Sequence, residues 1–211
     1  MHIDLLPILE ALRAKRPIFH SEADFQFALA WEIQLAYPQA ELRLEYPPAH
    51  NPGRRIDILV RMDGCAYPVE LKYAQKKLAV THTGEEYRLK NHGAQDLTAY
   101  DFVKDICRVE EFAAELAGFR YGYVVWLTND PYLWREPTSP AVGYAQFSVH
   151  SGAVRQGHMA WSERMGVGTI KGRGPLALRG SYPILWNEYS DFGMRDGLFR
   201  YALLRVDALL G

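Results

Sequence analysis

Cysteine is nearly missing from this chain, with only Cys65 and Cys107 among 211 residues. The two have no metal-ligand spacing, so neither a zinc module nor a disulfide framework organises the fold. No apolar run approaches the roughly 20 residues needed to cross a bilayer. The opening Met1-His2-Ile3-Asp4 lacks the basic and then apolar character of a secretory signal. A cytoplasmic, reducing setting with no membrane partner is therefore expected. Excess charge of one sign is also lacking. The formal net charge is −1, so no global basic field draws the chain to nucleic acid, and such binding must come from a local patch. Internal repeats and low-complexity segments are absent. What is present is an ordinary globular composition, 48% hydrophobic and 23% charged, at a length that suits one domain with a buried core.

Two adjacent stretches read as a β-hairpin. Residues 54–60, Arg54-Arg55-Ile56-Asp57-Ile58-Leu59-Val60, and residues 67–73, Tyr67-Pro68-Val69-Glu70-Leu71-Lys72-Tyr73, are rich in β-branched and apolar side chains. Between them Met62-Asp63-Gly64-Cys65 supplies a Gly-containing turn. Side chains alternate along a strand, so Glu70 and Lys72 share one face while Val69, Leu71 and Tyr73 share the other. Pairing that brings Asp57 near Glu70 places two carboxylates and an ammonium in one patch. Two close carboxylates repel unless a cation lies between them, and a hard divalent ion with oxygen ligands resolves the conflict.

An Asp on one strand followed by Glu-x-Lys on the next, here Asp57, Glu70, Leu71 and Lys72, resembles the signature of the PD-(D/E)XK nuclease superfamily. Ile56 stands where that pattern usually has Pro, a residue without a ligand atom. The resemblance implies an α/β chain with a restriction-endonuclease-like αβββαβ core, a mixed central sheet flanked by helices, and a C-terminal extension. It implies Mg²⁺, with Mn²⁺ as substitute, held by Asp57 and Glu70 with a main-chain carbonyl such as that of Leu71. A third acid from the preceding helix completes such sites. Glu22 and Glu32 compete for that part, and ten residues of helix, about 15 Å, keep both from reaching one ion. Glu22, in Glu22-Ala23-Asp24-Phe25-Gln26 behind an apparent Ser21 cap, is the favoured one. The competing reading of Glu22 is an ordinary dipole-stabilising surface residue just after the cap.

The order of predicted elements agrees with that core. Helical spacing marks residues 3–14 and the segment from Ser21 to about Tyr37, and alternation marks a strand at 41–46. A loop rich in Pro precedes Arg54 and Arg55. Residues 74–93 read as a polar loop carrying Lys76 and Lys77. A long amphipathic helix at 94–116 follows, then a strand at 121–128 that is apolar on both faces. Used as a crossover, that helix makes the Glu70 and Tyr123 strands parallel. On its polar side Asp101, Lys104, Asp105 and Arg108 share one face and read first as an exposed ion-pair ladder. Alternatively Gln95, or Lys104 and Arg108, point towards the metal site, and the resemblance implies a polar residue of this helix, Gln95 first, near the scissile phosphate.

The core thus spans about 20–130 of a single domain, with an extension over about 131–211. In that extension, residues 144–149 alternate like a strand. Residues 155–181 form a basic, Gly-rich loop with Lys171 and Arg173, and 198–210 carry the stripe of a closing helix. Arg54, Arg55, Lys76, Lys77, Gln95, Lys171 and Arg173 are the candidate nucleic-acid contacts. The function expected is a metal-dependent nuclease, endonuclease rather than exonuclease, acting on DNA, with a homodimer as one way to cut two strands. A non-catalytic nucleic-acid-binding or protein-interaction module on the same fold is the competing expectation, favoured by near-neutral charge and by the rings of Tyr132, Trp134 and Trp161.

Overall fold

A computed structural model describes residues 2–49, 52–139, 142–168 and 170–208. Its centre is a six-stranded sheet in the order β1-β2-β3-β6-β10-β9. These strands are β1 (Glu41–Tyr46), β2 (Ile56–Met62), β3 (Cys65–Ala74), β6 (Tyr121–Thr128), β9 (Asn187–Asp191) and β10 (Leu198–Asp207). Only β3 and β6 pair parallel, with Glu70 opposite Val124 and Lys72 opposite Trp126; every other neighbour in this sheet is antiparallel. The sheet is mixed, and β6 at its centre is buried from end to end.

Helices α1 (Leu5–Lys15) and α2 (Glu22–Ala36) cover one face, and α3 (Gln95–Glu115) covers the other. The Ser21 hydroxyl accepts the Asp24 N–H and starts α2, while Asp24 grips Arg16 through both oxygens at 2.9 Å. The α2 start is thereby locked in orientation. Across the sheet, Phe102 of α3 stacks on Trp126 with centroids 4.5 Å apart. At Gly122 the helix comes so close that a Cβ would lie 2.3 Å from Val109 Cγ1, so only glycine permits this approach.

The β2–β3 turn uses Asp63 and Gly64, both at positive φ, in the two-residue geometry that matches strand twist. Its ladder ends at Ile58 opposite Val69, one residue short of Asp57.

Several expected elements are different. Residues 74–93 are not a featureless loop: β4 (Leu78–His82) and β5 (Glu85–Leu89) form a hairpin, with Thr83 and Gly84 at positive φ in its turn. Its inward side chains Leu78, Tyr87 and Leu89 join the core on the α2 side, a contact that the charge of Glu85, Glu86 and Arg88 masks in the sequence. The expected closing helix over 198–210 is strand β10, paired to β6 from Arg200 to Asp207; its last residues, 209–210, lie outside the described ones. Apolar side chains on both of its faces serve two core layers at once, and a short two-sided run satisfies helical and strand spacing alike.

Residues 144–149 hold a single 3₁₀ turn, Ala145–Phe147, instead of a strand. The Gly-rich segment is partly regular, since β7 (Val154–Met159) pairs with β8 (Leu176–Pro183). A short helix α4 (Pro131–Trp134) follows β6, with Asp130 capping it. No helix among the described residues is long and apolar enough to cross a membrane.

Candidate functional site

The site lies where β2 and β3 separate. Continuing their register would set Asp57 opposite Glu70, but there the ladder stops and the Asp57 carboxylate takes its place: Oδ2 accepts the Leu71 N–H at 2.7 Å. The Asp57 main-chain oxygen accepts the Gln26 side-chain amide, also at 2.7 Å. Gln26 gives a second bond to Glu45, so α2, β1 and β2 are stapled at this point. One turn earlier on α2, Glu22 Oε2 accepts the Tyr73 N–H at 2.9 Å. Two carboxylates from different elements therefore hold successive outward amides of β3, which fixes the backbone on either side of Lys72.

The second half of the site comes from α3. Arg108 Nη1 lies 3.0 Å from Glu70 Oε2 and 3.6 Å from Asp105 Oδ1. Its other terminal nitrogen donates to the Arg55 carbonyl. Lys72 Nζ sits between acids, 3.7 Å from Glu22 Oε1 and 3.9 Å from Asp105 Oδ2. Glu70 is 1% exposed and Asp105 4% exposed, depths at which a carboxylate needs strong partners. Each keeps one oxygen without a hydrogen-bond partner, Glu70 Oε1 and Asp105 Oδ2.

The electrostatics follow from this crowding. Burial pushes the Asp57 carboxyl up to about 6, against the Leu71 amide and the Lys72 and Arg108 cations. Burial, with Asp57 and Asp105 nearby, holds Glu70 well above the usual carboxylate range. Asp105 is raised to about 7, again chiefly by burial. Burial alone would lower the Lys72 ammonium, but Asp105, Glu22, Asp57 and Glu70 outweigh it and the net shift is upward. Lys72 is held as a cation.

Hard oxygen donors of this kind suit Mg²⁺ or Mn²⁺, and the two orphaned oxygens are acceptors that such an ion would satisfy. As the side chains stand, no three His, Cys, Asp or Glu among the described residues converge at metal-binding spacing, and Arg108 and Lys72 lie among the acids.

Asp57, Glu70, Lys72 and Glu22 are thus gathered in one place, with the Leu71 N–H held by Asp57. Glu32 lies elsewhere, gripped by Lys15 at 2.7 and 2.9 Å. The ladder expected on α3 is exposed only in part. Asp105 is buried and Arg108 half-buried because α3 lays this turn over Glu70, whereas Lys104 stays exposed. Asp105, Arg108 and Gln26 are the site residues that sequence reasoning passed over or ranked low. The signal for Gln26 was its position four residues after Glu22, on the same helical face.

The candidate nucleic-acid contacts are scattered. Arg54 pairs with Glu111, and Arg55 bonds the Pro52 and Arg54 carbonyls, just ahead of Asp57. Lys76 reaches Asp196 at 3.5 Å, and Lys77 is exposed. Gln95 donates to Asp130 at 3.1 Å and so stabilises the end of β6. Lys171 is exposed, while Arg173 approaches Asp101 of α3 at 4.0 Å. Of the rings expected at the surface, Tyr132 is exposed. Trp134 is buried, and Trp161 is half-buried against Tyr100. Comparison of the chain with protein-family models, with curated proteins and with solved structures finds no match in any of the three.

Proposed function

We propose that this chain is a divalent-metal-dependent phosphodiesterase of the PD-(D/E)XK type that cuts nucleic acid, with DNA as the first substrate to test. The observation that carries the reading is the gathering of Asp57, Glu70 and Asp105 beside a cationic Lys72, with Glu70 Oε1 and Asp105 Oδ2 buried without a hydrogen bond. Each buried acceptor left without a hydrogen bond costs on the order of 1–3 kcal/mol, which a bound cation would offset.

In this reading Asp57 and Glu70 hold the ion, with Asp105 or Glu22 adding an oxygen. When bound there, Mg²⁺ or Mn²⁺ would supply an acidified water and neutralise charge on the phosphoryl group. The remaining work belongs to the protein. Gln26 and the Leu71 amide keep Asp57 aimed at the cleft, and the Tyr73 amide does the same for Glu22. Lys72, fixed between those two amides, presents a positive charge to the developing negative charge of the phosphate. As a general base it would need a lowered pKa, and the acids around it act in the opposite direction.

The test is a cleavage assay with Mg²⁺ or Mn²⁺ on linear, nicked, branched and single-stranded substrates. Asp57→Ala and Lys72→Ala are expected to lose activity by about 10²-fold or more, the scale seen when a preorganised charge-stabilising group is removed. Unchanged activity in both variants rules the mechanism out.

One observation favours the alternative of a non-catalytic binding module: Arg108 already neutralises Glu70, as it would in a site that no longer needs an ion. Thermal shift under Mn²⁺ separates the two. A catalytic site gains stability with added ion and loses that gain in Asp57→Asn, whereas a binding module shows no shift in either protein.

A further inference from the structure

Beyond the carboxylate site, the carboxyl ends of β3 and β6 open onto a cavity of about 650 Å³ between the end of the sheet, α4 and the turn leading into β10. That volume falls within the range of small-molecule and nucleotide pockets. Three cations line it, Lys76, Arg135 and Arg200, against one carboxylate, Asp196. Lys76 is 3.5 Å from Asp196. Arg135 joins no ion pair among the described residues. Arg200 lies over the Trp134 ring at 5.6 Å, and its Nε is buried without a hydrogen-bond partner. Asp196 offsets Lys76, so Arg135 and Arg200 leave two positive charges at the cavity, which repel unless an anion joins them.

The frame is rigid. Asn129, fully buried, accepts the Lys76 N–H at 2.7 Å and donates to the Lys76 and Asp196 carbonyls at 3.3 and 2.8 Å. The end of β3, the end of β6 and the turn before β10 are therefore held as one wall.

We propose that this cavity takes a phosphate group of the nucleic-acid strand as it leaves the cleft, with Arg200 and Arg135 donating to its oxygens and Lys76 adding charge. The phosphate chemistry follows from the cations. The assignment to nucleic acid rests on the phosphodiesterase reading: Lys76 lies four residues beyond Lys72, at most about 13 Å along an extended chain, so a strand held at Lys72 passes this opening.

The experiment measures binding of a 3′-labelled 12-nucleotide single-stranded DNA by fluorescence anisotropy in EDTA, where no cleavage occurs, with inorganic phosphate as competitor. Wild type is compared with Arg200→Gln and with Arg135→Gln, the latter an exposed position with no fold to disturb. The expected result is affinity weakened about tenfold in the first variant and about threefold in the second, the scale of lost charge-assisted contacts, with phosphate competing in wild type. Equal affinity in all three proteins overturns the proposal. So does inorganic phosphate that binds, read by calorimetric titration and lost in Arg200→Gln, without displacing the DNA, since the anion site then serves a smaller phosphorylated compound.

The two readings separate. Weakened binding in the variants, with wild type inert under Mg²⁺ and Mn²⁺, keeps the cavity and removes the catalytic reading. Metal-dependent cleavage with unchanged affinity in the variants does the reverse.

Discussion

Single residues set the charge balance at the sheet's opening. Asp57 is the clearest case, because its folded pKa of about 6 stands above its ordinary 3.8. A raised carboxyl holds its proton more tightly when folded. Its contribution to stability is therefore complete below the unfolded value and is lost as pH rises through the folded one. In EDTA, stability should fall between about pH 4 and 7, with Asp57 accounting for on the order of 2–3 kcal/mol of the fall. Asn at this position still accepts the Leu71 amide but does not titrate. Calorimetric Tm measured from pH 4.5 to 8 should thus fall less steeply in Asp57→Asn than in wild type, and parallel curves would refute the assignment. Asp105, raised to about 7 chiefly by burial, and Glu70, also raised, leave a residual slope in each protein, a smaller one in Asp57→Asn because the Asp57 charge helps raise both.

At the level of elements, the site depends on how closely α3 approaches the sheet. Asp105 and Arg108 reach Glu70 only because Gly122 lets Val109 pack against β6 without a Cβ between them. Gly122→Ala forces these layers apart. It should destabilise the protein by about 1–3 kcal/mol, the usual cost of overpacking, and weaken Mn²⁺ binding as Asp105 withdraws. Denaturant unfolding and a Mn²⁺ thermal-shift titration measure the two effects. At the other end of the site, the Ser21 hydroxyl and the Arg16 grip on Asp24 fix the helix start that carries Glu22 and Gln26. Loss of an N-cap costs about 1 kcal/mol, so Ser21→Ala should lower stability by that amount.

Across the whole molecule, a buried acid of α3 fastens β8, and through it the β7–β8 ribbon, to the core. Glu110, 3% exposed on α3, accepts the Arg179 and Gly180 N–H groups and the Tyr182 hydroxyl within 2.7–3.0 Å, all from β8. Gln at this position has one acceptor oxygen instead of two and brings an N–H₂ against donors. Glu110→Gln should cost about 2–3 kcal/mol through buried donors left unpaired. It should also speed amide hydrogen exchange across β7 and β8 while leaving β2 and β3 protected. Uniform loss of protection would show that the β7–β8 ribbon and the sheet unfold as one unit.

Local chemistry in the sequence determined a good deal. Alternation and the Asp63-Gly64 turn define the β2–β3 hairpin, the Ser21 cap starts α2, and the order strand, amphipathic helix, apolar strand requires the parallel β3–β6 pair. Side-chain parity put Glu70 and Lys72 on one face, because the period of a strand is two whatever surrounds it, while Asp57 joined them only on the condition of a hairpin register that the structure supplies. Other features depended on what packs where. β10 reads equally well as helix or strand until β6 claims its edge, and the β4–β5 hairpin hides its core contacts behind charged outer positions. Asp105 and Arg108 belong to a helical face that looks solvated, and only the close crossing of α3 at Gly122 buries them over Glu70. The cavity around Arg135 and Arg200 joins residues more than sixty positions apart in the chain. Spacing along a chain encodes neighbours within one element, whereas contacts between elements exist only after the layers have packed.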